Sequence, residues 1–259
     1  MPSELLSERR GQTLVLTICD PATRNTLSAQ VIAAGIEALG VSESDPDVRA
    51  VVLQGDGAHF CAGGNLKGLA ERRAAGRDVQ RRMVEHLHQW VEAIRAYPKP
   101  VIAAVEGAAA GAGFSIALAC DLIVAAEDAS FVMSYGKAGL TPDAGASWSL
   151  VNALPRAYAQ RLLWLAEPVS AAKLLVLGLV TEVTPPGQAL AQALRLAERL
   201  AEMASNAVAA AKELVEQASR QSLAAQLDAE RDHLVASLFD ANGGEGLEAF
   251  FAKRPPRFR

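Results

Sequence analysis

The sequence predicts an α/β protein, and three observations support that fold class. Apolar runs at 49–54, 101–105 and 122–125 lack polar alternation, which is typical of strands in a sheet covered on both faces. Stretches with helical periodicity lie between these runs, so strands and helices alternate as in parallel sheets joined by right-handed crossovers. The composition is 51% hydrophobic but only 5% aromatic, which predicts a helix-rich core of Ala, Leu and Val.

The N-terminal part is predicted to open with two paired strands, at 4–8 and 13–18. Ser28 is expected to cap a helix that runs to about Leu39. The stretch 72–78 is highly charged and is predicted to be a mobile connection. Further helices are predicted at 79–97, 146–154, 156–165, 170–177, 186–203, 206–217 and 223–239, with a short strand at 180–183.

Charge and cysteine content narrow the class of protein. The net charge of −4, without a basic block, argues against nucleic acid as a partner. The three cysteines have no metal-ligand spacing, so we expect free thiols in a reducing compartment. The N-terminus has no apolar signal core, and the longest uncharged run, 107–120, is too short to span a bilayer. We therefore expect a soluble cytoplasmic protein with no membrane partner.

The stretch 101–121 is a candidate functional segment. Its strand turns at Glu106 and passes through Gly111 and Ala112 into an apolar helix. The first amides of a helix have no partner within it and favour negative charge, so this turn can hold an anion. The alternative is a Gly/Ala-rich helix that is simply packed in the core. The loop 59–66 also follows a strand, so both loops are expected at the same sheet edge.

Four motifs, in this order, carry a family resemblance. The segments Gly-Asp-Gly-Ala-His-Phe-Cys-Ala-Gly-Gly-Asn-Leu at 55–66, Ala-Val-Glu-Gly-Ala-Ala-Ala-Gly-Ala-Gly at 104–113 and Gly-Leu-Thr-Pro-Asp at 139–143 resemble the enoyl-CoA hydratase/isomerase (crotonase) superfamily. The tail at 246–254 is similar to that family's C-terminal helix. The resemblance covers nearly the whole chain.

This resemblance implies a fold, a substrate class and an assembly. It implies a crotonase-like ββα spiral core over residues 1–195 and a C-terminal helical trimerisation region over 196–259. The implied substrate is an acyl-CoA thioester, with coenzyme A as part of the substrate and no separate cofactor or metal. Its enolate is held by two backbone amides, which by resemblance are those of Gly64 and Ala112. The implied assembly is a homotrimer or a dimer of trimers.

The resemblance also implies how coenzyme A is bound. Ala62, Asn65 and Leu66 line the adenine and pantetheine path, and Arg24 lies near the phosphates. Asn65 stands where the family commonly has Asp. Gly111 belongs to the same oxyanion turn as Ala112.

The tail is expected to complete the site of a neighbouring subunit. Phe250 and Lys253 resemble residues that approach the adenine from that neighbour. Core packing of Phe250 and Phe251, and a solvated helix end at Lys253, remain alternatives.

The residues at two further positions bear on the reaction. Hydratases of this family use two glutamates, and the matching positions here hold Ser115 and Tyr135. Neither is a good general base near neutral pH at its ordinary pKa, so both are assigned to substrate binding. The usual two-carboxylate hydration is therefore not expected.

Asp143 is the remaining candidate base. It resembles an aspartate that certain isomerases and a dehalogenase of the family use, so we expect an isomerase-type proton shuttle on an unsaturated or ring-derived acyl-CoA. Asp143 can instead, or in addition, cap the helix that follows it. A hydratase or hydrolase with a non-standard base, and a catalytically weak acyl-CoA-binding homologue, stay open. His59 is interpreted as structural or solvated, and Cys61 as a small packed residue.

Overall fold

The structure is a computed structural model that describes residues 3–258, and this part of the chain forms two β-sheets with helices packed around them. The strands are β1 (Glu4–Arg10), β2 (Thr13–Cys19), β3 (Ala50–Gly55), β4 (Val101–Val105), β5 (Ala108–Ala110), β6 (Leu122–Ala126), β7 (Ser130–Val132), β8 (Val169–Ser170) and β9 (Glu182–Thr184). The helices are α1 (Ala29–Glu43), α2 (Leu66–Ala75), α3 (Arg77–Ala96), α4 (Ala112–Ala119), α5 (Ala146–Ala153), α6 (Arg156–Leu165), α7 (Ala171–Val176), α8 (Ala189–Ala201), α9 (Ser205–Ala218), α10 (Leu223–Phe239) and α11 (Ala241–Phe251).

The larger sheet confirms the predicted α/β class. Its strand order is β1-β2-β3-β4-β6-β9, and all neighbours are parallel except the antiparallel pair β1-β2. That pair is the predicted N-terminal hairpin. A smaller sheet, β5-β7-β8, was not predicted, because its strands are only two or three residues long and give no period to detect.

The central strands are buried on both faces, as their lack of polar alternation predicts. Leu53 of β3 faces the main core, which also contains helices α1, α3 and α4. Val52 and Ile102 face the other way and pack against Ala193 and Ala197 of α8. Small alanine side chains let α8 lie close to the sheet, so the carboxyl ends of β3 and β4 are firmly held at one edge.

One predicted connection is wrong. The stretch 72–78 was expected to be mobile, but its residues belong to α2 and α3. Only Gly76, whose φ is +109°, separates the two helices. The Asn65 side chain caps α2 by accepting hydrogen bonds from the amides of Lys67 (3.0 Å) and Gly68 (3.2 Å). Because α2 lies on the surface and buries none of its residues, it lacks the apolar stripe by which a helix is recognised.

The predicted cap of α1 is confirmed. The Ser28 hydroxyl accepts the amide hydrogen bond of Val31 at 3.2 Å, and the helix then extends to Glu43, four residues beyond the predicted end. The predicted helices between residues 146 and 239 are all present, with ends that differ by a few residues.

The C-terminal helices α9, α10 and α11 project apolar side chains into solvent. Phe239, for example, is 84% exposed. Ion pairs join α9 to the body of the chain, between Glu216 and Arg95 and between Lys212 and Asp121. The predicted division at residue 195 falls within α8, whose whole length packs on the sheet. Within residues 3–258, no helix is long and apolar enough to cross a membrane.

Candidate active site

Two loops meet at the carboxyl edge of the large sheet, as the sequence predicts. The first follows β3 and contains Cys61, and the second follows β4 and includes β5. The Cys61 amide donates to the Ala108 carbonyl (3.1 Å), and the Ala110 amide donates to the Cys61 carbonyl (2.9 Å). Because β3 and β4 are parallel neighbours, their outgoing loops leave on the same side and pair there.

Glycines permit the close approach of these loops. Gly63 has φ +87°, and a Cβ there would lie 2.6 Å from the Ala110 carbonyl oxygen and 3.0 Å from the Ala112 nitrogen. A Cβ on Gly113 would overlap the carbonyl group of Cys61. The first loop therefore lies directly against the N-terminus of α4, at a distance that side chains would prevent.

The amides of Gly64 and Ala112 are candidate oxyanion donors. The α-helical hydrogen bonds of α4 begin with the Ser115 amide, which donates to the Gly111 carbonyl at 3.0 Å. Among the hydrogen bonds found in residues 3–258, none uses the amide of Gly64 or of Ala112. Since Gly63 lies directly against the start of α4, the amides of Gly64 and Ala112 both lie where the two loops meet. Their role as an oxyanion hole stays a prediction.

The alternative assigned to this segment also holds. All eight residues of α4 are buried, so the helix is indeed a tightly packed Gly/Ala-rich element. Gly111 makes its turn into the helix with φ +51°, and a Cβ there would lie 3.2 Å from the Ser134 hydroxyl. Core packing and outward-facing first amides are thus properties of one helix, because the packing fixes the direction of its N-terminus.

Three predicted site residues form one hydrogen-bonded chain. The Tyr135 hydroxyl donates to Asp143 Oδ1 at 2.6 Å, and Ser115 Oγ lies 2.9 Å from the same hydroxyl. Ser115 is 1% exposed, while Tyr135 and Asp143 are half-buried. The sequence singled out all three residues, but it gave no sign that they bond to one another.

The tyrosine is the donor in this chain. Burial, and secondarily the charge of Asp143 beside it, raise the pKa of Tyr135 well above its ordinary value. Tyr135 therefore keeps its proton at neutral pH and donates it in a hydrogen bond to the carboxylate. This agrees with the expectation that Tyr135 is not a general base.

The carboxylate of Asp143 is not the N-cap of α5. The N-cap residue is Gly145. Asp143 contacts the start of the helix only through its main chain, where its carbonyl accepts a hydrogen bond from the Ala146 amide at 3.1 Å. Ala144 and Gly145 have φ values of +51° and +74°. This left-handed turn separates Asp143 from the helix start, and its carboxylate bonds to Tyr135 instead.

Arg24 lies beside the first loop. Its carbonyl accepts the amide of Ala62 at 2.9 Å, and its own φ is +58°. Arg24 also lines a cavity of about 270 Å³ with Pro21, Ala22, Asn25, Asp56, Ala58 and His59. His59 Nδ1 accepts the amide of Ala108 at 3.2 Å, which confirms its structural interpretation. The exposed guanidinium of Arg24 is available for an anion, and phosphate binding stays a prediction.

The remaining loop residues take different positions. Ala62 is half-buried and held by Arg24, while Leu66 is exposed. Asn65 uses its side-chain oxygen to cap α2, so its identity has a structural reason whether or not it contacts a ligand. Leu69 lies one turn into α2, and its Cδ1 is 3.6 Å from where a Cβ on Gly64 would lie. Leu69 therefore borders the loop that carries Gly64. The contact of these residues with coenzyme A stays a prediction.

The tail residues lie at the surface. Phe250 and Phe251 are 77% and 78% exposed, so the alternative that they pack in the core of their own chain is wrong. They lie at the C-terminal end of α11, whose buried residues are Asn242 and Ala249. Lys253 is exposed as well, with φ +54°. Both its solvated alternative and its approach to a neighbouring site remain compatible with this position.

Cys61 is a packed residue, as predicted. It is fully buried, its sulfur accepts the amide of Gly63 at 3.3 Å, and burial raises its thiol pKa to about 12. A thiol in that state is protonated at neutral pH and is a poor nucleophile. Its role is to help shape the loop that carries Gly63 and Gly64.

Comparisons with known proteins agree with this architecture. The family model for enoyl-CoA hydratase/isomerase matches residues 8–259. The crystal structure of an enoyl-CoA hydratase from Polaromonas sp. JS666 is 54% identical and superimposes with a TM-score of 0.98, covering 99% of this chain and 100% of that one. A putative enoyl-CoA hydratase from Thermus thermophilus is 37% identical over 98% of this chain and 100% of its own length.

A relative whose name gives a different reaction type also matches nearly the whole chain. The 1,2-epoxyphenylacetyl-CoA isomerase of Escherichia coli is 33% identical over 98% of this chain and 97% of its own length. These matches extend over the sheet, both loops and the C-terminal helices. The chain therefore belongs to the enoyl-CoA hydratase/isomerase family and has the crotonase fold.

Proposed function

We propose that this enzyme catalyses an isomerase-type proton transfer on an unsaturated or ring-derived acyl-CoA, with Asp143 as the base. The observation that carries the proposal is the hydrogen-bonded chain from Ser115 through Tyr135 to Asp143. Hydroxyl groups occupy the two positions at which the resemblance implies hydratase glutamates. A single carboxylate is left to move the proton.

The proposed reaction needs no added water. The thioester oxygen accepts hydrogen bonds from the amides of Gly64 and Ala112, which stabilise negative charge on that oxygen. Asp143 removes a proton from one carbon of the acyl group, and the electron pair is delocalised onto the thioester oxygen as a dienolate. The protonated Asp143 then returns the proton to another carbon, so the double bond moves and the carboxylate is regenerated.

Hydration is the second candidate, and the names of the relatives favour it. The 2,3-dehydroadipyl-CoA hydratase of Escherichia coli is 32% identical over 99% of this chain. In this alternative Asp143 activates a water molecule that adds to the double bond. Isomerisation is preferred because a protonated Tyr135 offers no second base. The relative named 1,2-epoxyphenylacetyl-CoA isomerase supports a ring-derived acyl group.

Mass spectrometry in deuterated water separates the candidates. The enzyme is incubated with enoyl-CoA thioesters that include vinylacetyl-CoA and a cyclohexenyl-bearing acyl-CoA. Isomerisation is expected to move the double bond, with deuterium taken up whenever the proton on Asp143 exchanges with solvent before it is returned, whereas hydration adds the mass of one D₂O. Binding without either change would indicate an acyl-CoA-binding homologue.

The variant Asp143→Asn tests the base directly. It is expected to lose about 10²-fold or more of the exchange rate, because the amide cannot accept the substrate proton. The exposed Asp128 provides the matched control, since Asp128→Asn makes the same charge change at a carboxylate outside the chain of Ser115, Tyr135 and Asp143. A folded Asp143→Asn enzyme with full activity would sink the assignment.

The proposal extends to assembly and location. Exposed apolar side chains on α10 and α11, among them Phe239, support a homotrimer or dimer of trimers, in which Phe250 and Lys253 reach a neighbouring coenzyme A site. A stable monomer in light scattering would contradict this assembly. The cysteines form no disulfide, which supports a reducing location such as the cytoplasm.

A further inference from the structure

We propose that Tyr135 is a positioning residue that binds one oxygen of Asp143, fixes the orientation of that carboxylate and leaves its other oxygen for the substrate. Ser115 orients the tyrosine hydroxyl. This inference rests on the proposed function, in which Asp143 is the base.

Counting protons fixes the direction of the hydrogen bonds. Tyr135 has one hydroxyl proton, and it is used in the 2.6 Å bond to Asp143 Oδ1. The contact between Ser115 and Tyr135, at 2.9 Å, is then a hydrogen bond only if Ser115 donates. Ser115 Oγ also lies 3.2 Å from the Gly111 carbonyl, a longer contact that competes for the same proton. The donors therefore run from Ser115 to Tyr135 and end at the carboxylate.

The chain ties the base to the oxyanion donor. Ser115 lies in the first turn of α4, three residues after Ala112, whose amide is the candidate donor. Two hydrogen bonds connect this turn to Asp143. A Cβ at Gly111 would lie 4.0 Å from Tyr135 Cζ, so the tyrosine ring rests against the start of the same helix. The distance from base to oxyanion is thus set by one rigid element rather than by the loop that carries Asp143.

The bond to Asp143 also holds its carboxylate in one orientation. A hydrogen bond to a carboxylate is charge-assisted, and bonds of this kind are strong. Burial raises the pKa of Tyr135, so the donor keeps its proton throughout the neutral range. Removing the hydroxyl frees the carboxylate to rotate.

The test compares Tyr135→Phe with a matched control. Tyr97 is a buried tyrosine whose hydroxyl lies 2.8 Å from that of Ser42, so Tyr97→Phe removes the same kind of hydroxyl pair without touching a carboxylate. Carboxyl-¹³C-aspartate is incorporated into each protein, and the Asp143 signal is assigned by its loss in Asp143→Asn. Its chemical shift is measured by NMR at neutral pH without substrate.

In Tyr135→Phe the carboxyl signal of Asp143 is expected to move, because the hydrogen bond to its Oδ1 is lost, and in Tyr97→Phe to stay at its wild-type position. The rate of deuterium exchange into vinylacetyl-CoA is measured for both variants. We expect kcat to fall about tenfold while KM changes less than about twofold, because the positioning of the base is lost rather than substrate binding.

The outcomes separate this inference from the proposed function. An unchanged carboxyl signal in folded Tyr135→Phe overturns the inference, even where Asp143→Asn is inactive and the function stands. A shifted carboxyl signal with a fully active Asp143→Asn supports the inference and overturns the function. If Tyr135→Phe does not fold, Ser115→Ala is used instead, with a smaller change of the signal expected, and no change overturns the inference.

Discussion

Replacing Gly63 with alanine tests whether the contact between the two loops creates the oxyanion site. A Cβ at this position would lie 2.6 Å from the Ala110 carbonyl oxygen and 3.0 Å from the Ala112 nitrogen. Both neighbours are main-chain atoms, so no side chain can rotate away to relieve the contact. The first loop has to move away from α4, and Gly64 moves with it.

The size of the effect follows from these distances. Ordinary contacts of this kind are about 3.5 Å or longer, so the loop has to shift by roughly 0.5 to 1 Å. A displacement of that size at a catalytic group can cost about 10²-fold in rate, and loss of one oxyanion donor costs about 10² to 10³. Gly63 also has φ +87°, so an alanine there adds backbone strain of about 1 to 2 kcal/mol.

Gly178→Ala is the matched control. Gly178 has φ +78°, but a Cβ there would meet nothing within 4 Å, so only the backbone strain is shared. Urea unfolding is expected to show a loss of about 1 to 2 kcal/mol for the control and a larger loss for Gly63→Ala. Exchange of the α-proton of an acyl-CoA in deuterated water should fall about 10²-fold in Gly63→Ala alone. Equal exchange rates in the two folded variants would refute the reasoning.

Two further predictions concern pH and the C-terminal tail. Burial raises the pKa of Tyr97, so above about pH 10 the unfolded chain loses a proton that the folded chain keeps, and the free energy of unfolding falls by about 1.4 kcal/mol per pH unit. Urea unfolding should show a shallower fall in Tyr97→Phe, and an equally steep one would contradict this account. Glu245 accepts hydrogen bonds from the Arg254 side chain and from the Arg257 amide (2.6 Å), and these bonds lower its pKa to about 2. The contact between Glu245 and the tail is therefore fully present above the ordinary pKa of a glutamate and is lost as the pH falls through about 2. In Glu245→Gln, hydrogen exchange at the Arg257 amide should become faster at neutral pH, while an unchanged rate would show that Glu245 does not hold the tail.

The main-chain part of the site was predictable from sequence because its requirements are local. A turn at Gly63 with positive φ, and a helix whose second residue is Gly113, can each be identified from a few consecutive residues. Parallel strands then bring the two loops to one sheet edge without any side-chain contact having to be known. The strand and glycine pattern therefore indicated the place, while the assignment of the Gly64 and Ala112 amides as oxyanion donors came from the family resemblance.

The candidate side chains could be identified from the sequence, but the hydrogen bonds between them could not. Ser115 and Tyr135 are 20 residues apart, and their contact depends on the 3₁₀ turn Ser134–Ala138, which no periodic pattern announces. The bond from Tyr135 to Asp143 depends on the left-handed turn at Ala144, a conformation that alanine seldom adopts. Helix capping was a reasonable alternative for Asp143 because the preference for Asp before helices ignores such a turn.

The hydroxyl groups at positions 115 and 135 and the carboxylate of Asp143 are physically dependent on one another. The Tyr135 hydroxyl lies 2.6 Å from Asp143, so a carboxylate introduced near that position would share a half-buried site with a second negative charge. Two carboxylates so close do not both stay ionised at neutral pH, and one of them would be held protonated. A protonated tyrosine avoids this repulsion and donates a hydrogen bond to one oxygen of Asp143. In the proposed reaction, the hydroxyls of Ser115 and Tyr135 therefore support the one carboxylate that serves as the base.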